Sequence, residues 1–179
     1  MQREPGAALD LTTSRPSDDG FSLEDYPFYL MNQAAGAYND AMKTALAGAQ
    51  MTQLTWRILL ILRDEEPLTV SDIATKAATK LSTVTRAVQR MAEDGLVECS
   101  EGAVDRRVTL VERAKKGRIE AERVRTVADS VFLTAIAGVS EQDLYVFNDV
   151  LRRIRTNLKR PPHAPADWPS PPASRTPRA

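Results

Sequence analysis

The sequence predicts a mainly α-helical domain carrying one small β-hairpin. Three observations lead there. Apolar residues recur at spacings of three and four through most of residues 22–158. Ser22, Thr69 and Ser140 each precede an Asp by three positions, the spacing of a capping box, common enough that one match can arise by chance. Two short β-rich runs surround a loop near residue 100.

The chain has 179 residues, 42% hydrophobic and 27% charged, enough for one domain with a real core. Its formal net charge is zero, but the charge is unevenly placed. Residues 1–50 hold seven acids against three bases, whereas residues 75–118 hold ten bases against six acids. An acidic start and a basic middle cancel in the total and leave a dipolar chain. The single cysteine, Cys99, excludes an intrachain disulfide, and the N-terminus lacks the apolar core of a signal peptide. No apolar run reaches the ~20 residues of a membrane span. The expectation is a soluble, cytoplasmic protein without membrane association.

Residues 1–20 and 159–179 are polar and rich in Pro, Gly, Ser or Asp, so both are expected to be disordered tails around a domain over 21–158. The first helix, about 22–49, carries Leu30, Ala34, Tyr38, Ala41, Ala45 and Ala49 as an Ala-rich stripe that suits close helix packing. Leu54 to Leu62 is a short, densely apolar and therefore central helix, ended by Asp64-Glu65-Glu66-Pro67. Two short helices follow, Ser71 to Ala78 and Leu81 to Asp94, with Ile73, Ala74, Ala77, Leu81, Val84, Val88 and Met91 as their apolar positions across a sharp corner. Gly95 is the expected C-cap. Leu96 to Cys99 and Arg107 to Val111 then read as a hairpin with a short tip over Glu101 to Val104. Long helices over about 116–137 and 141–158 close the domain; the last carries Leu144, Phe147, Leu151, Ile154 and Leu158. Long terminal helices of this kind often seek a partner chain.

Two short helices joined at a corner and followed by a hairpin make a winged helix-turn-helix, about residues 54–113. With Val84, Val88 and Met91 inward, the second helix turns Ser82, Thr83, Thr85, Arg86, Gln89 and Arg90 to solvent. Small donors, a Gln and arginines suit the base edges and phosphates of a major groove. An ordinary solvated face would mix acids with bases in i,i+4 pairs, but Ser82 to Arg90 contains no acid.

The segments LTWRILLIL, LTVSDIATKAATKLSTVTRAVQRMAEDGLVE and DRRVTLVERAKKG together resemble the MarR family of bacterial transcriptional regulators. The resemblance covers Leu54 to Gly117 in motif detail and Phe21 to Leu158 in layout. It implies a homodimer built by helices about 22–49 and 116–158, binding a pseudo-palindromic double-stranded operator, most often as a repressor. It places the six recognition-helix residues at the major groove and phosphates. Asp105 and Arg107 match the wing's acid and minor-groove arginine, with Arg106 beside them at the backbone. An arginine there is drawn to the negative potential of a narrow groove, and the aspartate can hold its rotamer. The sequence departs from the family at Ala78-Thr79, where Gly and an apolar residue are usual, and Thr79 is a candidate cap for the recognition helix. It departs also at Ala114, where Thr is usual.

Family resemblance further implies a small aromatic or phenolic effector held between the dimerisation helices and the DNA lobe. The candidate pocket residues are Tyr26, Tyr29, Met31, Tyr38, Trp56 and Arg57, with plain core packing as the competing reading. For Cys99, an oxidant-sensing role competes with a structural one; Glu98 and Glu101 nearby disfavour a thiolate. No metal or cofactor is expected, since the one histidine, His163, lies in the Pro-rich tail. Asp64, Glu65 and Glu66 are acids without a nucleophile–base pair, so no enzyme is expected. A winged helix used only for protein contacts is the remaining alternative.

Overall fold

The computed structural model describes residues 16–17, 19–49, 51–102 and 107–160. Most of both expected tails therefore lies outside the described residues. Six α-helices and three short strands follow in the order α1 (Pro27–Ala47), α2 (Gln53–Asp64), β1 (Leu68–Thr69), α3 (Val70–Lys76), α4 (Leu81–Glu93), β2 (Val97–Glu101), β3 (Thr109–Arg113), α5 (Lys115–Ala135) and α6 (Glu141–Asn157). The chain divides into two compact units at Ala135, so that α6 stands in a unit of its own.

Helix starts follow local chemistry in two of the three expected places. Thr69 Oγ1 accepts from the Asp72 amide at 3.0 Å and Ser140 Oγ from the Asp143 amide at 3.1 Å, each satisfying one of the orphan amides of a first turn. Ser22 makes no such bond. It precedes a single 3₁₀ turn, Leu23–Asp25, and α1 begins only at Pro27, whose fixed φ and missing amide suit a first helical position. Thr52 Oγ1 caps α2 by accepting from the Thr55 amide.

The core of the first unit is built around α2, which buries Trp56, Ile58, Leu59 and Leu62. Met42 and Leu46 of α1, Ile73 and Ala74 of α3, Val84, Val88 and Met91 of α4, Val97 and Val111 of the sheet and Val124 of α5 close around it. Burying an aliphatic side chain of this size stabilises by about 1.5–3 kcal/mol, so α2 is the element whose loss the unit would least tolerate. The Ala-rich stripe of α1 behaves otherwise: Leu30, Ala34, Tyr38 and Ala41 are exposed, and the helix enters the core through Met42 and Leu46 instead. Leu81, expected in the core, is 52% exposed. No residue of α6 is fully buried within the chain.

The hairpin gains a third strand that no sequence pattern announced. β1 pairs antiparallel with β3, Leu68 opposite Val111, and β3 pairs on its other edge with β2, Cys99 opposite Val111 and Glu101 opposite Thr109. Glu101 thus belongs to a strand rather than to the tip. The strands leave residues 102–108 between them, the same length as the 100–106 of the expected hairpin but two residues later, and the Gly102 amide donates to the Val108 carbonyl at 2.8 Å.

Two helices end in the same six-residue motif. After α3, the Thr79 amide donates to the Ala74 carbonyl and the Ala78 amide to that of Thr75. After α4, the Leu96 amide donates to the Met91 carbonyl and the Gly95 amide to that of Ala92. The motif requires a left-handed residue, which Gly95 (φ 70°) supplies freely and Ala78 (φ 49°) only at a steric cost of about 1–2 kcal/mol. Thr79 does not cap α4. Its hydroxyl donates instead to the Ala77 carbonyl, which Arg57 Nη1 also reaches at 3.2 Å.

In the first turn of α5, Gly117 is pressed against the start of β2. A Cβ there would overlap the backbone carbonyl of Leu96 and crowd Leu59 Cδ2. In an open helix Gly→Ala gains about 1 kcal/mol of propensity. Here the overlap with fixed backbone outweighs it, and Gly117→Ala is expected to lower stability by about 3 kcal/mol in chemical denaturation. A neutral or stabilising result would show that α5 can stand away from β2.

Candidate nucleic-acid interface

The corner between α3 and α4 sets α4 across one side of the first unit, with Val84, Val88 and Met91 anchored in the core. Ser82, Thr83, Arg86, Gln89 and Arg90 are exposed as expected, and Thr85 is half-buried. Thr85 Oγ1 donates to the Leu81 carbonyl at 2.9 Å, so its proton is spent within the helix and only its acceptor capacity remains for a base. Neither Arg86 nor Arg90 has an ion-pair partner among the described residues. Two unneutralised guanidiniums on a stretch, Ser82 to Arg90, that carries no acid suit phosphate binding; the one acid of α4, Glu93, is exposed in its last turn.

Residues three and four apart share a helix flank, so the outer face of α4 resolves into two rows. Leu81, Thr85 and Gln89 form one. Thr83, Ala87 and Arg90 form the other, and with Arg86 they line a cleft of about 610 Å³ closed by Thr52 and Thr55 of α2 and by Lys116, Glu120 and Arg123 of α5. Four cations, Arg86, Arg90, Lys116 and Arg123, face two acids there, Asp94 and Glu120. Lys116 Nζ donates to the Asp94 carbonyl at 2.7 Å, and Arg123 pairs with Glu120 at 2.8 Å. The cleft is therefore net positive at its α4 wall.

Of the wing residues, Arg107 is exposed just before β3, while Asp105 and Arg106 lie outside the described residues. The six residues expected to form an effector pocket are not brought together around the α4 cleft. Trp56 is buried in the core and Arg57 holds the helix-turn-helix corner. Tyr26 packs edge-on against Phe21 and Phe28, Tyr29 is half-buried, and Met31 and Tyr38 are exposed along α1. Cys99 is exposed on β2, and partial shielding of its sulfur, rather than the neighbouring acids, pushes the thiol's pKa up. Among the described residues no three His, Cys, Asp or Glu side chains cluster as a metal site, and no helix is long and apolar enough to cross a membrane.

The acids after α2 separate into three roles. Asp64 pairs with Arg63 and Glu65 with Lys76, both at the surface. Glu66 is different. Its carboxylate accepts from the Arg113 amide at 2.9 Å, from Arg113 Nε and Nη2 at 3.1 Å each, and from Arg118 Nη2 at 3.1 Å. With only a fifth of the Glu66 side chain exposed, this clamp ties the end of β3 and the first turns of α5 to the segment leaving α2. It braces the wing from behind, and its signal in the sequence was hidden in a run of three acids.

A helix-turn-helix whose second helix exposes two unpaired arginines along an acid-free stretch, Ser82 to Arg90, beside a braced β-wing, defines a DNA-binding transcription regulator. The MarR family model matches residues 51–109. Over 144 residues, 80% of this chain and 86% of the relative, the sequence is 35% identical to the HTH-type transcriptional repressor IacR of Pseudomonas putida. In fold it is similar to a MarR-family regulator from Silicibacter pomeroyi, with a TM-score of 0.70 at 24% identity over 80% of this chain and 96% of that one. It is also similar to Bordetella bronchiseptica BpsR, described with the mechanism by which 6-hydroxynicotinic acid regulates its DNA binding, with a TM-score of 0.69 at 19% identity over 75% and 96%. The chain belongs to the MarR family, whose members are transcription regulators and not enzymes.

The Arg113 and Arg118 guanidiniums hold the Glu66 carboxyl below its ordinary pKa. A depressed folded-state pKa contributes stability above the unfolded value of 4.5 that is lost as pH falls through the folded one. Glu66→Gln is expected to cost about 2 kcal/mol at neutral pH and to flatten the acid limb of the stability profile below about pH 4.5. Equal acid sensitivity of both proteins in thermal melts would remove Glu66 from that role.

Proposed function

We propose that this protein is a cytoplasmic, homodimeric repressor that binds a pseudo-palindromic operator through α4 and the wing and is released by a small aromatic or phenolic acid. The observation that carries the DNA reading is the exposed stretch Ser82 to Arg90 of α4, which holds two unpaired arginines and no acid. Ser82, Thr83, Arg86, Gln89 and Arg90 are assigned to the major groove and its phosphates, Thr85 as an acceptor, and Asp105, Arg106 and Arg107 to the wing's contact with the minor groove and backbone. The name of the Pseudomonas putida relative supports repression.

Dimerisation is supported by apolar surface that each unit leaves uncovered: Leu30 and Tyr38 on α1 with Phe132 and Leu133 on α5, and, separately, Tyr145 and Phe147 on α6 and Leu158 at its C-terminal end. These are large side chains on helices long enough to present a continuous apolar face. A second copy would cover them and set the two α4 helices about one DNA turn apart. The preparation is expected to elute as a dimer at micromolar concentration; a monomer would overturn this part of the reading.

For the effector, the α4 cleft is the better address than the aromatic set on α1. It has room for a single-ring acid, apolar wall from Met51, Leu54 and Met91, and cations to meet a carboxylate. The regulation of BpsR by 6-hydroxynicotinic acid supports this class of ligand. Because Arg86 and Arg90 face both cleft and solvent, an anion bound there would draw charge away from the DNA face.

Genomic fragments selected by binding, then titrated at two salt concentrations, test the reading. Affinity is expected to fall steeply with salt, as counterion release demands. Arg107→Ala should weaken all sites alike, whereas Arg86→Ala or Gln89→Ala should cost about 1–3 kcal/mol at particular base pairs and relax preference there. Unchanged affinity in all three variants would overturn the assigned face.

A further inference from the structure

Leu81 is the one apolar side chain of α4 that the core does not take. Val84, Val88 and Met91 are 0%, 3% and 2% exposed, and Leu81, one turn earlier, is 52% exposed. It is the first residue of the helix, directly after Lys80, and borders an open groove of about 460 Å³ lined by Ser71, Ala74 and Thr75 of α3 and by the corner residues Ala78 and Thr79. Among the described residues of its unit nothing covers it. Exposing a leucine forgoes about 1.5–3 kcal/mol of burial, a loss a buried neighbour such as Val84 does not incur.

We propose that Leu81 reads sequence: on the DNA-binding reading above, its side chain packs against the 5-methyl group of a thymine in the half-site. The surroundings choose this occupant over an apolar protein surface. Lys80 precedes it, Ser82 to Arg90 adds two arginines and no acid, and the groove beside it carries the Ser71 hydroxyl. Such a collar suits a polyanion. The apolar group that duplex DNA displays in its major groove is the thymine methyl, and residues at the N-terminus of a recognition helix are those that reach base edges.

The row to which Leu81 belongs extends the argument. Gln89 lies eight residues on along the same flank, about 12 Å along the helix axis, or roughly three base-pair steps. A glutamine amide matches the N6 and N7 edge of adenine. Thr85, between them, has its proton committed to the Leu81 carbonyl and so adds no donor that would favour guanine. Leu81 and Gln89 of this row thus both favour A·T pairs, while the arginine row opposite supplies charge.

The test uses a bound genomic fragment in which each half-site thymine is replaced in turn by deoxyuridine, which removes only the methyl group. Full-length wild-type protein should lose affinity about fourfold at one position, the value of one buried methyl. Leu81→Ala should lose at least as much on the thymine duplex and show no further loss on the uracil duplex at that position. Leu81→Met should retain most of the discrimination, and both variants should melt near the wild-type temperature, since the side chain is half in solvent. Wild-type affinity indifferent to every substitution, or Leu81→Ala still losing fourfold on uracil, would overturn the assignment while leaving DNA binding intact. A wild-type protein that binds no duplex in a salt-sensitive manner would overturn the regulator reading and Leu81's role with it.

Discussion

The approach of Gly117 to the carbonyl of Leu96, too close to admit a Cβ, is the constraint on which the remaining geometry depends. Leu96 is joined three ways at that point. Its amide closes the C-terminal motif of α4, its carbonyl accepts from the Ala114 amide, and the next residue opens β2. The end of the recognition helix, the root of the wing and the first turn of α5 therefore meet at one residue, with Leu59 of the central helix beneath. Because packed interiors resist small displacements, a shift of the first turn of α5 must carry Leu96 with it. A helix outside the DNA lobe is thereby mechanically coupled to both elements that would touch DNA.

Glu66 completes the same joint from the other edge of the sheet. Its carboxylate meets the last residue of β3 through backbone and side chain together and reaches Arg118, one residue beyond Gly117. A three-stranded sheet with a two-residue edge strand has little intrinsic stability. Four charge-assisted contacts on a carboxylate only a fifth exposed supply what the ladder lacks.

Much of this was legible in the sequence because burial and periodicity agree where a helix crosses a core. α2, α4, the hairpin and the Gly95 cap follow from apolar spacing and local chemistry. What escaped lies where one residue's neighbours come from far along the chain. β1 has two residues and no strand signature, and only its pairing with β3 defines it. The partners of Glu66 sit 47 and 52 positions away, so it looked like one of three helix-end acids. Leu81 continues the apolar period of α4, but as the first residue after the corner it has no preceding turn to cover it. The aromatic residues of α1 suggested a pocket by their type, while the α4 cleft is lined by Thr, Ala, Met and charged residues that no motif singles out.

A formally neutral chain can serve a polyanion because charge acts over short range. At physiological salt the screening length is about 8 Å, less than the span of a single helix. DNA at α4 would therefore feel Arg86, Arg90 and Lys80 far more than any charge lying well beyond that length. Segregation also has a selective consequence. With little net charge to attract nucleic acid indiscriminately, the proposed binding would rest on the few cations near the corner and at Arg107. Specificity is then left to the uncharged row of α4, where Leu81 and Gln89 are separated by two turns and bring no charge of their own.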